Sequence, residues 1–240
     1  DLIVAGRGGY GAGRILEGID YEAARRNRPI ILGFSDVTAI NLAMLAKAGL
    51  LTLSGAMPGV DLRHGADSNP FAVDSLLRAT SSRIGELPTA PSDTAAAILI
   101  QGIAEGRLVP VNLTLLASLC GTPFLPSFKG AILLVEEIGE EVYRLDRLFG
   151  QLANAGIFDE IAGLALGRFT GTDPKRISVD PLPFDEMIAD YVKIANVPTV
   201  SGFPYGHVPT KWTVPVGAMA RLDASSESPS LTILEEHLRH

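Results

Sequence analysis

The sequence predicts an α/β chain: a first half that builds a parallel sheet between helices, and a second half of mixed α and β. Three observations predict it. Apolar strand runs alternate with helix-compatible runs up to about residue 80. A stretch rich in Pro and small polar residues, Gly85-Glu-Leu-Pro-Thr-Ala-Pro-Ser-Asp93, then interrupts the pattern. Beyond it the strand runs become shorter and more closely spaced.

Leu2-Ile-Val-Ala5 has the apolar character of a buried strand, and a glycine-rich turn and a helix from about Gly13 follow it. Pro29 to Phe34 is the next strand, residues 37–50 the next helix, and Leu51-Thr-Leu-Ser54 a short third strand. A helix is expected over residues 69–80. The Pro-rich stretch is expected to be a linker at 85–94, dividing the chain into units 1–84 and 95–240. In the second unit, residues 95–100 and 107–111 read as short strands joined by a Glu105-Gly106 turn, and 113–119 as a helix. Gly130-Ala-Ile-Leu-Leu-Val135 is a strand ending in Glu136-Glu137. Residues 142–153 repeat at helical spacing, with Tyr143, Leu145, Leu148, Phe149 and Leu152 on the apolar side. Residues 161–166, 199–203, 219–223 and 231–235 read as strands, giving a mixed sheet expected to form a partly closed barrel.

The bulk properties narrow the function. A chain of 240 residues that is 47% hydrophobic can bury one large core or two modest ones. A net charge of -7 without a basic run argues against nucleic acid as a partner. The single cysteine, Cys120, leaves no internal disulfide and no Cys-rich zinc site. No apolar run reaches the length of a membrane span, so no membrane partner is expected, and with no signal peptide visible cytoplasm is the expected compartment. The chain opens at Asp1 directly in strand-like sequence, which suggests a preceding portion.

Three positions combine into a chemistry. Ser35 sits in Gly33-Phe-Ser-Asp36, where an apolar strand meets a helix; such a corner presents a nucleophile and points backbone N–H groups at it. The same serine, or Asp36, also suits a helix N-cap. Glu136 closes an apolar strand, where sheets gather functional acids, although an acidic corner capping the next helix would look similar. His207 lies in a loop stiffened by Pro and Gly, Ser201-Gly-Phe-Pro-Tyr-Gly-His207-Val-Pro-Thr-Lys-Trp-Thr-Val-Pro-Val-Gly217. His64, His237 and His240 read as surface residues. A serine needs a base to take its proton, and the base works better when a carboxylate holds it, so Ser35, His207 and Glu136 suit nucleophile, base and orienting acid. A rival use exists for the glycine turn: Gly6-Arg-Gly8-Gly9-Tyr-Gly11 satisfies G-x-G-x-x-G, with Asp36 following, as in a dinucleotide-binding turn.

Taken together, Ala5-Gly-Arg-Gly-Gly-Tyr-Gly-Ala12, Gly33-Phe-Ser-Asp-Val-Thr38, Asn112-Leu-Thr-Leu-Leu-Ala-Ser118, Leu134-Val-Glu-Glu-Ile-Gly-Glu140, Tyr143-Arg-Leu-Asp-Arg147 and Gly206-His-Val-Pro-Thr-Lys211 resemble the LD-carboxypeptidases of serine peptidase family S66, in order and through nearly the whole chain. The family also holds the microcin C self-immunity peptidases. The resemblance implies a Rossmann-like N-terminal domain and a C-terminal domain with a small barrel-like sheet. It implies catalytic roles for Ser35, Glu136 and His207, and an oxyanion hole from the backbone N–H of Asp36 and of the Gly8-Gly9 turn. It further implies a homodimer, no cofactor and no metal, and release of terminal D-alanine from a murein tetrapeptide. A microcin-type aminoacyl-nucleotide amide, or a nucleotide-binding protein using the glycine turn, are the alternatives. Arg7, Arg144 and Arg147 are candidates to hold the substrate carboxylate, and Met57 lies in the stretch on the substrate side of the cleft. Two stretches depart from the usual pattern: Ser54-Gly-Ala-Met57 stands for His-Gly-Pro-Met, and Pro110-Val-Asn-Leu113 for Gly-Gly-Asn-Leu.

Overall fold

The computed structural model describes residues 2–63, 68–89, 96–172 and 182–238. His64, His240 and positions 90–94 of the expected linker lie outside the described residues.

The first sheet holds β1 (Leu2–Val4), β2 (Ile30–Gly33) and β3 (Thr52–Ser54), all parallel, closed at one edge by antiparallel β10 (Val214–Val216). Ala12–Arg14 and Leu16–Gly18 form two single 3₁₀ turns where one helix was expected, since the closely spaced glycines there dilute helix propensity. α1 (Tyr21–Asn27) begins after them, capped by Asp20. Ser35–Val37 is a 3₁₀ turn leading into α2 (Thr38–Ala43) and a π turn at Met44–Ala48. α3 (Pro70–Thr80) starts with Asn69 as cap and Pro70 at the first helical position, where its missing N–H is harmless.

The second sheet contains β4 (Gly85–Glu86), β5 (Ala97–Ile100), β6 (Ile103–Asn112), β7 (Ile132–Ile138), β8 (Gly163–Thr170), β9 (Thr199–Ser201), β11 (Met219–Asp223) and β12 (Ser230–Ile233), in the order β4-β12-β11-β6-β7-β8-β9-β5. The order is open, with β4 and β5 at its edges among the described residues. β6 to β9 run parallel; β5, β11 and β12 are antiparallel to their neighbours. α4 (Leu113–Leu119), α5 (Val142–Asn154), α6 (Ile157–Glu160) and α7 (Phe184–Ala195) complete the second half.

Several local expectations change: β1, expected to be buried, has Leu2 and Ile3 54% and 53% exposed, and β4 forms inside the expected linker, paired with β12. Glu105-Gly106 is not a turn: Gly106 pairs with Ala220 inside the ten-residue β6. The chain reverses instead at Gly102, whose φ of 144° is open to glycine, and β5 leaves to pair with β9. Residues 214–216, expected in a loop, form β10 with Pro215 on an edge strand, where a missing N–H is tolerated. Tyr143 is 47% exposed on α5 rather than in the core. α7, which the sequence reading did not assign, buries Met187, Ile188, Val192 and Ala195 at helical spacing.

Alternation along β7 divides the interior. Leu133 and Val135 pack into the core shared with α2, α4, α5 and α7, whereas Ile132 and Leu134 pack on the opposite side with Phe34, Tyr205 and Trp212. The two acids that end the strand inherit this alternation.

Candidate active site

Ser35 has φ 62°, a left-handed conformation that non-glycine residues rarely adopt, and it follows the extended Phe34. The strain fits a serine forced out of the end of β2. The glycine turn lies against it: a Cβ on Gly8 would stand 2.8 Å from Ser35 Cβ and 3.1 Å from its Oγ. Asp36 accepts a hydrogen bond from Ala12 N–H at 2.9 Å, tying that turn to the serine corner through its side chain.

His207 reaches the serine from the second half of the chain. Its Nε2 is 3.0 Å from Ser35 Oγ, and its Nδ1 is 2.7 Å from Glu136 Oε2. Glu136 is fully buried, and burial pushes its carboxyl above the ordinary glutamate range, opposed by hydrogen bonds from His207 and Asn112. With a carboxylate facing Nδ1, that nitrogen carries the proton and Nε2 turns its lone pair to the serine hydroxyl. The Phe34 ring packs 4.8 Å from the imidazole, and Lys211 Nζ lies 4.8 Å from the Phe34 ring centre. Lys211 is buried and paired with Asp61 at 2.7 Å; the other oxygen of Asp61 accepts Met57 N–H at 2.8 Å.

Family models for the LD-carboxypeptidase N-terminal domain and the LD-carboxypeptidase C-terminal domain match residues 1–55 and 105–222. The chain is 33% identical to a probable murein peptide carboxypeptidase of Bacillus subtilis over 224 residues, covering 92% of this chain and 68% of that one. This chain belongs to the LD-carboxypeptidase family. Among solved structures it is similar to the muramoyltetrapeptide carboxypeptidase of Oxalobacter formigenes, with 30% identity, a TM-score of 0.83, and coverage of 99% of this chain and 80% of that one. It is also 26% identical to the microcin C7 self-immunity protein of Escherichia coli, over 94% of this chain and 72% of that protein.

In this LD-carboxypeptidase a cavity of about 350 Å³ opens onto Ser35, lined also by Arg7, Gly8, Gly9, Met57, Arg63, His207 and Lys211. A second, of about 590 Å³, shares Val60, Asp61, His207 and Lys211 with it and extends to Asn69, Ile138 and Pro209. Arg7 and Met57 therefore border the serine. Arg144 and Arg147 do not line that cavity; they flank the exposed Tyr143 ring on α5, at 5.8 and 5.1 Å from its centre. The two unusual stretches begin away from the cavity and reach the site through Met57 and Asn112. Ser54 Oγ shares a buried hydrogen bond of 2.8 Å with Tyr205 OH, and Pro110 lies in β6 beside Leu134 of β7.

Sequence reasoning missed three participants. Asn112 Nδ2 donates to Glu136 Oε1 at 3.1 Å and to Glu137 Oε1 at 2.9 Å, while its Oδ1 caps α4. Glu137, read as part of an acidic corner, is buried. Asp61 gave no signal apart from its distant partner Lys211. His237, expected at the surface, is only 5% exposed and donates Nε2–H to Ala79 C=O at 2.8 Å.

Proposed function

We propose that this chain hydrolyses the bond between an L-centre and a terminal D-alanine in murein tetrapeptides. The observation that carries the reading is the Ser35–His207–Glu136 relay, at 3.0 and 2.7 Å, set in a cavity with an arginine on its wall. Relatives named as murein peptide carboxypeptidases support the substrate class.

Ser35 Oγ attacks the scissile carbonyl while His207 Nε2 accepts its proton. Glu136 stabilises the resulting imidazolium. The oxyanion of the tetrahedral intermediate is met by the backbone N–H of Asp36 and of the Gly8-Gly9 turn, donors worth about 3 kcal/mol each. The C–N bond then breaks, His207 returns the proton to the departing amine, and D-alanine leaves. Water, deprotonated by His207, hydrolyses the acyl-enzyme and restores Ser35. Arg7 holds the terminal carboxylate through its planar fork. The steps balance without a metal or organic cofactor. The family resemblance further supports a homodimer.

Ser35→Ala is expected to lower D-alanine release from murein tetrapeptide by roughly 10⁴- to 10⁶-fold. Undiminished release would overturn the proposal. Running an aminoacyl-nucleotide amide beside the tetrapeptide decides between the murein and microcin-type substrates.

A further inference from the structure

Two consecutive buried carboxylates lie near the end of β7, just before Ile138, and the relay uses only one. Strand alternation sends Glu136 toward His207 and Glu137 to the opposite side, against the start of α4. Glu137 is nonetheless fully engaged. Its Oε2 accepts Thr114 N–H at 2.7 Å; its Oε1 accepts Ile138 N–H at 2.8 Å and Asn112 Nδ2–H at 2.9 Å. The amide of Asn112, level with Glu136 in the β6–β7 ladder, spans the strand and gives its second N–H to Glu136 Oε1. One amide nitrogen thus joins both acids.

We infer that Glu137 is a positioning residue: it holds the Asn112 amide in the one orientation that pins Glu136 Oε1, so that Oε2 stays aimed at His207 Nδ1. If the amide were reversed, its oxygen would face both carboxylates, a buried repulsion with no partner to offset it. The negative charge of Glu137 also raises the proton affinity of Glu136, strengthening its hold on the imidazolium. His207 bears on Glu136, and the Tyr205 hydroxyl is pushed up by burial and in turn by the Glu136 charge; β6 presents the neutral Asn112 and β8 presents Gly167.

The inference rests on the Ser35–His207–Glu136 reading, and its test is chosen to separate the two. A fluorophosphonate labels a His-activated serine whatever the natural substrate: the Oγ–P bond forms, P–F breaks, fluoride departs and His207 takes the proton. The rate constant for labelling Ser35 is measured against pH in the intact chain and in Glu137→Gln, with thermal melts alongside. The variant is expected to label about tenfold or more slowly, within the roughly 10²–10⁴ that a well-placed base supplies. Its acid limb should move to lower pH while the melting curve stays cooperative. A wild-type rate constant and limb in E137Q overturn the inference and leave the relay standing. So does a smaller labelled fraction that tracks lost folding at an unchanged rate constant. An unlabelled parent chain overturns both. If E137Q does not fold, Glu137→Asp reads the same quantity: charge kept at shorter reach, with an unshifted limb and a slower rate expected, and a wild-type rate overturning the inference.

Discussion

At Ser35 a strained backbone, a close neighbour and a partner ring meet within one residue's reach. Gly8 tests how closely the site is fitted. Its backbone is not left-handed, so alanine there brings no φ strain, but the new methyl carbon would stand 2.8 Å from Ser35 Cβ. The serine must shift. Gly8→Ala is therefore expected to lower turnover about 10- to 100-fold, as sub-ångström misplacement does, with little change in melting temperature; steady-state kinetics beside a thermal melt check this. Glu136 offers a pH test. Its folded carboxyl binds a proton more tightly than the unfolded one. From the ordinary glutamate value up to the raised folded value, the native state thus holds more protons, and rising pH removes stability; above the folded value the loss is complete. Glu136→Gln has no such term. Its melting temperature relative to the parent should climb as pH rises through that interval, while activity is lost throughout. A relative melting temperature that is flat or falls with pH would contradict the assignment.

Elements place these residues, and the cap of α4 illustrates how. Asn112 ends β6, starts α4 through Oδ1, and supplies both buried acids through Nδ2. Asn112→Ala removes a cap worth about 1 kcal/mol and strips a donor from two buried carboxylates, a further loss of about 1–3 kcal/mol. Urea unfolding should show the combined cost. What the sequence made legible follows the same line between local and distant causes. α4 begins at Leu113 and β11 runs Met219–Asp223 as expected, because a cap residue and an alternating pattern write those bounds locally. Ser35, Glu136 and His207 were legible because each sits at a corner marked by its own neighbours. β10, by contrast, is a strand only because β3 offers an edge to Val214–Val216. The Asp61–Lys211 pair and the Asn112 bridge are invisible until separate segments meet. His237 looked like tail sequence because nothing near it announces that Ala79 and Ser82 receive it.

Over the whole molecule, the two halves of the chain are interleaved. β10, from the second half, is hydrogen-bonded into the first sheet, and Trp212 Nε1–H binds Pro88 C=O at 2.8 Å nearby. The Asp61–Lys211 pair crosses the same boundary with side chains 8% and 4% exposed. Removing one member leaves an uncompensated buried charge, so Asp61→Asn should cost about 3–5 kcal/mol. Adding Lys211→Met should recover part of that, because the stranded ammonium disappears; denaturant titration of the two variants provides the comparison.

The seating of β10 on the edge of the first sheet also bears on how the chain comes into being. During synthesis the hydroxyl of residue 35 leaves the ribosome long before the imidazole of residue 207, and the strand that anchors the histidine loop follows later still. On the reading proposed above, a nascent chain that stops short of residue 207 lacks the base that activates the serine.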